Sequence, residues 1–265
     1  MHENRSTPDL IDSHAHLDDQ AFAADREEVI DRAWRAGVGD MIVPGVDARS
    51  WPGIKALCAR HSRLHPAFGL HPMFLHKHVP ADVDALSSWL DEENVVAVGE
   101  IGLDFQVEGL DRDSQRQFFL RQLQLARQRD LPVIVHARGA LEEVSLTLRR
   151  TGGLRGVVHS FSGSWQQAQH LWDIGFHLGI GGPVTYPRAQ RLRRIVAQMP
   201  IDFLLLESDA PDQPDAAHRG ERNEPGRIVD VLQCVAALRS ESVAHVAAAT
   251  SANARRLFAL DRRNS

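Results

Sequence analysis

Eight short apolar runs recur along the chain, and this repetition constrains the fold more than any other feature. They are LID (10–12), DMIVPG (40–45), HPAFGL (65–70), NVVAVGE (94–100), LPVIVH (131–136), RGVVH (155–159), GFHLGI (175–180) and DFLLLE (202–207). Their apolar residues are continuous rather than alternating, as in parallel strands buried on both faces. Amphipathic stretches lie between them. In 23–37, Val29, Ile30, Ala33 and Trp34 share a helical face that Gly37 ends. In 114–129, Ser114 and Gln117 have capping-box spacing ahead of Phe119, Leu123 and Ala126. Strand followed by helix, at a period of roughly 30 residues, predicts an α/β fold of the TIM (β/α)8 barrel type. The stretch from Ser242 to Phe258 predicts an extra C-terminal helix packed outside the barrel. No linker, low-complexity tract or charge run divides the chain, so residues 1–265 read as one domain. An open doubly wound sheet is the second choice, should one run not be a strand.

Composition narrows the function classes. Hydrophobic content of 43% and charged content of 25% are those of an ordinary globular protein. A formal net charge of −5 gives no broad basic face for duplex binding driven by counterion release. Cys58 and Cys234 lack Cys-x-x-Cys spacing, which argues against a disulfide framework or thiolate zinc site and fits a reducing cytoplasm. The N-terminal MHENRSTPD is polar, and no run approaches the roughly 18 apolar residues of a membrane span. The expectation is a cytoplasmic chain with no membrane association and no obligate protein partner.

Barrel chemistry sits where strands end at their C-terminal face. Run one ends in His14-Ala15-His16, whose imidazoles at i and i+2 share a face. Run three leads to His71, run four ends in Glu100, run five in His136, run six in His159 and run eight in Glu207-Ser208-Asp209. Taken singly, each has a plainer role, because a strand-end His can cap a carbonyl and a lone Glu can pair with an Arg. Four imidazoles and two acids lining one rim would be costly to bury unpaired, and the shared role that relieves this is divalent-cation binding. Glu207 reads equally as a support for a ligating His or as half of a salt bridge. His76 and His78 fall in a polar loop and read as solvated, while His2, His61, His170, His218 and His245 have no strand-end placement. His14, His16, Glu100, His136, His159 and Asp209 exceed one tetrahedral site, and a carboxylate can bridge two cations. Two divalent metal ions sharing Glu100 is the economical arrangement. Mixed nitrogen and oxygen donors suit zinc or manganese, with magnesium a weaker fit.

At this point the chain resembles a known family. DSHAHLD (12–18), GLHP (69–72), VGEIGLD (98–104), PVIVHAR (132–138), GVVHSFSGS (156–164), LLLESDAPD (204–212), RNEP (222–225) and TSANARRLF (250–258) resemble, in order, the motif series of the TatD family of metal-dependent hydrolases and deoxyribonucleases. TYPRA (185–189) and DAPDQP (209–214) are most similar to its YjjV-type branch. The resemblance implies a TIM barrel and hydrolysis of DNA phosphodiesters, in some members from the 3′ end. It implies that His14, His16 and Asp209 bind one metal and His136 and His159 the other, with Glu100 bridging. ESD stands here for the more usual ETD, and HSFSG for HCFSG; neither removes a ligand.

The expected substrate is DNA or another nucleotide phosphodiester. Asp209 is the candidate for orienting the attacking water and taking its proton, on the metals that Glu100 joins. His71, Arg138 and Arg188 are candidate substrate contacts, guanidinium being well matched to phosphate; Arg222 is a further one. Ser160 and Ser162, beside Gly163, either donate hydrogen bonds or form the turn into the next helix. With aromatic residues at 6%, little material exists for stacking bases along a channel, which favours a strand end or short nucleotide. Two rivals stand beside this reading. An amidohydrolase-type enzyme acting on a C–N bond or small phosphoester also uses His-x-His barrels, but its bridging lysine has no counterpart, since Lys55 and Lys77 end no run. A metal-stabilised barrel serving only as a scaffold is the non-enzymatic alternative.

Overall fold

The computed structural model describes residues 9–92 and 94–260. His2, with most of the polar N-terminal stretch, and residues 261–265 lie outside the described residues. All eight apolar runs form strands: β1 (Leu10–Asp12), β2 (Val38–Pro44), β3 (Leu64–Phe68), β4 (Ala97–Asp104), β5 (Val133–Arg138), β6 (Gly156–Val158), β7 (Phe176–Ile180) and β8 (Leu204–Leu206). Neighbours are parallel and follow chain order from β1 to β8. At the seam between β8 and β1, Ser13 donates from N and Oγ to Leu206 O at 3.0 and 2.9 Å, and Asp12 Oδ1 accepts from Ser208 N at 2.9 Å. The sheet is therefore drawn into the expected (β/α)8 barrel rather than left open.

The helices are α1 (Arg26–Ala36), α2 (Trp51–Arg60), α3 (Pro80–Glu92), α4 (Arg112–Gln128), α5 (Leu141–Thr151), α6 (Trp165–Asp173), α7 (Gln190–Gln198), α8 (Ile228–Arg239) and α9 (Val243–Phe258). α1 buries Val29, Ile30 and Ala33 and stops at Gly37, whose φ of 99° suits glycine. α4 begins earlier than the Ser114–Gln117 spacing suggests: Asp111 is its cap and accepts from Ser114 N at 2.7 Å. The capping box lies instead at α6, where Ser164 and Gln167 satisfy each other's backbone N–H groups.

Two apolar layers surround the sheet. The outer layer packs residues such as Val133, Val135, Val158, Leu204 and Leu206 against the helices. The inner one gathers Ile11, Ile42, Ala67, Ala97, Ile134, Val157 and Leu205 inside the barrel. Ala254, Leu257 and Phe258 of α9 and the following Leu260 join this inner cluster. The C-terminal helix is thus not merely an outer addition, because its last turn adds to the interior core.

The two-residue period of a strand then places the polar residues. His136, His159 and Glu207 follow Ile134, Val157 and Leu205 by two positions, so each points inward one layer above the apolar plug. β4 departs from this rule. Strict alternation from inward Ala97 would send Glu100 toward the helices. The register slips between Val98 and Ile101, and the extra residue puts Ile101 and Leu103 in the outer layer and Glu100 inside. Gly69 permits this, since a Cβ there would come within 2.7 Å of the Gly99 backbone and 2.8 Å of Glu100 O.

Candidate metal centre

Glu100 is the hub of the upper barrel and is 1% exposed. Its Oε2 lies 3.1 Å from His14 Nε2 and 3.4 Å from His16 Nε2. Its Oε1 faces a different group, 2.7 Å from His159 Nε2, 3.0 Å from His136 Nδ1 and 2.8 Å from His71 Nε2. Asp209 Oδ1 completes the first group, 3.6 Å from His14 Nε2 and 3.8 Å from His16 Nε2. All six expected ligands therefore converge, divided between the two oxygens of one carboxylate.

Neighbouring groups fix which nitrogen of each ring faces the centre. Pro44 O, 3.3 Å from His16 Nδ1, can only accept, so that nitrogen carries the proton and Nε2 offers a lone pair. Asp104 Oδ2 does the same for His136, accepting from Nε2 at 2.9 Å and leaving Nδ1 bare toward Glu100. His71 is arranged the opposite way. Its Nδ1 accepts from Met73 N at 3.1 Å, so Nε2 carries hydrogen and donates to Glu100 Oε1. His71 thus binds Glu100, and although only 4% exposed it is among the residues that line the cleft above.

Lone pairs of His16 and His136 facing carboxylate oxygens at these distances repel unless positive charge lies between them. This donor set fits divalent cations. Protons fill the same role otherwise: burial opposes charging His16 and His159, yet Glu100 prevails and raises them to about 9 and about 10. Burial drives His14 well down, helped by His159, and takes His71 to about 4. Burial would raise Glu100, but the surrounding imidazoles, His159 foremost, hold it well below the usual carboxylate range.

Asp209 and Glu207 stand at the end of β8. Asp209 adopts a left-handed φ of 56°, which a short polar residue tolerates, and its N donates to His14 O at 2.9 Å. Burial raises its pKa. Gln213 Nε2 donates to Asp209 Oδ2, while Ser160 Oγ donates to Gln213 Oε1 at 2.8 Å. Glu207 accepts from Ser160 N at 2.5 Å and stands 3.8 Å from His159 Nδ1, and burial lifts it to about 8. A Cβ on Gly179 would sit 2.1 Å from Glu207 Oε2, so a larger residue there would displace that carboxylate.

A cleft of about 680 Å³ opens above these residues, with Met73, Phe74, Phe161 and Leu192 among its walls. Arg138 lines it and, among the described residues, is tied only through Nε to Asp104 Oδ2 at 2.8 Å. The other expected arginines lie elsewhere. Arg188 is exposed, stacks over Tyr186 at 5.5 Å and is not among the cleft's lining residues. Arg222 spends its guanidinium on Asp25, at 2.7 Å to each oxygen, and on Glu224 at 3.0 Å. His78 is half-buried rather than solvated, its Nε2 bound to His71 O at 2.9 Å. Asp104 and Gln213 were not singled out from the sequence; their only signal is membership of the GLD and DAPDQP stretches.

The family described as TatD related DNase matches residues 11–259. The chain belongs to the TatD family. The metal-dependent hydrolase YjjV of Escherichia coli strain K12 is 41% identical over 254 residues, covering 94% of this chain and 97% of that one. The TatD protein of Salmonella typhimurium strain LT2, named as a 3′-5′ ssDNA/RNA exonuclease, is 34% identical over 258 residues, covering 94% and 98%. The crystal structure of Escherichia coli YjjV, described as a TatD homologue, superposes with a TM-score of 0.92 at 38% identity, covering 96% of this chain and 99% of that one. Among the described residues, no helix is long and apolar enough to cross a membrane.

Proposed function

We propose that this TatD-family chain is a metal-dependent hydrolase that cleaves phosphodiester bonds in single-stranded DNA, working from the 3′ end. The observation that carries the reading is the division of Glu100, with Oε2 toward His14 and His16 and Oε1 toward His136 and His159. On this reading His14, His16 and Asp209 would hold one divalent ion, of zinc, manganese or magnesium, and His136 and His159 a second, with Glu100 available to both. Bound divalent cations make water acidic enough to attack near neutral pH and offset the charge that builds on phosphoryl oxygens.

The protein's own residues supply the rest. Asp209 Oδ1 takes the proton of the attacking water, and the burial that raises its pKa makes it a better acceptor. Gln213 holds the other Asp209 oxygen in place. His71 Nε2–H fixes Glu100, and Asp104 fixes the His136 tautomer. Arg138, with its terminal nitrogens free in the cleft, binds a nonbridging phosphate oxygen. We read residues 1–265 as one such domain acting in the cytoplasm, consistent with free Cys58 and Cys234.

The test is hydrolysis of 5′- and 3′-labelled single-stranded DNA with zinc, manganese and magnesium in turn, beside Asp209→Ala. Metal-dependent shortening from the 3′ end, absent in the variant, is the expected result. An intact substrate with metal demonstrably bound would overturn the reading and favour a small phosphoester or C–N bond.

A further inference from the structure

A second groove, of about 820 Å³, opens on the same rim and shares Ala137 and Ser162 with the cleft. It passes the loop after β4 at Phe105, runs along α5 to Arg150 and is flanked by Arg191 at the start of α7. Its cations are largely uncommitted. Arg150 is exposed and has no ion pair among the described residues. Arg191 is exposed and gives one N–H to Ser162 O at 2.8 Å, leaving the rest of its guanidinium to solvent. Arg138 stands on the cleft side of the shared Ala137 with only its Nε engaged. Of the two carboxylates in the groove, Glu143 is already neutralised by Arg116 at 2.5 and 3.0 Å, which leaves Glu142. Leu146, 41% exposed, and Phe105 add apolar surface.

In a chain of net charge −5, Arg150 and Arg191 face Glu142 as the groove's one carboxylate without a neutralising arginine among the described residues. Arg138, paired through Nε with Asp104, keeps its terminal N–H groups outside that pair, so cations outnumber open carboxylates along this path. One row of cations beside apolar surface matches one phosphate backbone with its bases alongside, and gives a second backbone nothing to pair with. We propose that this groove carries the body of a single-stranded nucleic acid whose terminal phosphodiester lies in the cleft. The proposal rests on the phosphodiesterase reading and adds to it a binding path: phosphates behind the scissile bond meet Arg138, Arg191 and Arg150 in turn.

The experiment compares kcat/KM for a thymidine 12-mer with that for the thymidine dinucleotide, at several salt concentrations. In the unaltered protein the longer strand is favoured by about tenfold or more, and the preference fades as salt rises. In the double variant Arg150→Glu and Arg191→Glu, the ratio falls close to one, and its salt slope shrinks by about 0.7 for each lost phosphate contact. Arg150→Gln alone gives a partial fall and guards against misfolding of the double variant. Arg194→Glu, an exposed change on α7 outside the groove, leaves the ratio as it was. A ratio near one in the unaltered protein, or one that the variants do not change, overturns the groove assignment while the phosphodiesterase reading stands. Hydrolysis of neither substrate overturns both.

Discussion

Asp104 Oδ2 accepts from His136 Nε2 at 2.9 Å, so the Nδ1 of that ring is the atom presented to Glu100. Asp104 is itself anchored, its Oδ1 accepting from Gln106 N at 2.9 Å and Val107 N at 3.2 Å. Burial would raise its pKa, but His136 leads the contacts that hold it below the usual carboxylate range, so it stays charged. Asp104→Asn can present an N–H where the acceptor stood and so invert the ring's tautomer. Metal affinity is expected to drop about 10–100-fold, as is typical when such a supporting contact is lost. Chelator-competition titration reads it, and unchanged affinity would reject the positioning role.

Asp209→Asn separates proton transfer from folding. The amide keeps the size of the side chain and one oxygen, so the fold is expected to persist, while turnover falls about 10²–10⁴-fold. Metal content by elemental analysis, measured beside single-turnover rates, distinguishes a lost base from a lost ligand. Full turnover with normal metal content would remove Asp209 from the role of base.

Chelation should destabilise the barrel, because the donors converge only in the folded chain. At metal concentrations about 100-fold above Kd, binding contributes about 2.7 kcal/mol. For a protein of this size that corresponds to a fall in Tm of about 5–10 °C on adding excess chelator. A melting curve indifferent to chelator and to added zinc or manganese would count against a built metal centre.

Gly69→Ala tests the close passage between the end of β3 and the bulge of β4. The added methyl meets backbone rather than a movable side chain. A cost of about 1–3 kcal/mol in urea unfolding is expected, together with reduced metal content, since relief of the clash displaces Glu100. A stable variant with full metal content would show that the bulge is more yielding than its packing implies.

His177 supplies a pH dependence remote from the ligands. It lies on β7 with Nδ1 3.3 Å from Gly156 O, and burial takes its pKa down to about 4 against that hydrogen bond. Arg256 lowers it further, while Asp202 works the other way. A histidine depressed in the folded state binds its proton more readily when unfolded, so its contribution is present above about pH 6.5 and lost as pH falls toward 4. Between pH 7 and 4.5 the loss is on the order of 2–3 kcal/mol. His177→Gln should show a shallower decline in urea midpoint over that range, and parallel curves would dismiss the assignment.

The sequence by itself determined the barrel and most of its centre. Eight continuous apolar runs separated by amphipathic stretches have few other solutions, and chemistry in such a fold gathers where strands end, which marks His14, His16, Glu100, His136, His159 and Asp209. These positions are legible because a strand alternates with a fixed period, so His136 and His159 inherit the inward face from Ile134 and Val157. Tertiary structure alone decided the inward turn of Glu100. That turn depends on a one-residue slip between β4 and β5, and a slip is a relation between two strands that neither states alone. The same limit applies to Asp104, which meets His136 from 32 residues away, and to Gln213, which reaches Asp209 through a loop. It applies to the arginines as well. Arg138, Arg188 and Arg222 are alike as residues, and only the placement of their neighbours leaves one in the cleft, one over a tyrosine and one in an ion-pair network, because a guanidinium is free or spent according to which carboxylates the fold brings beside it.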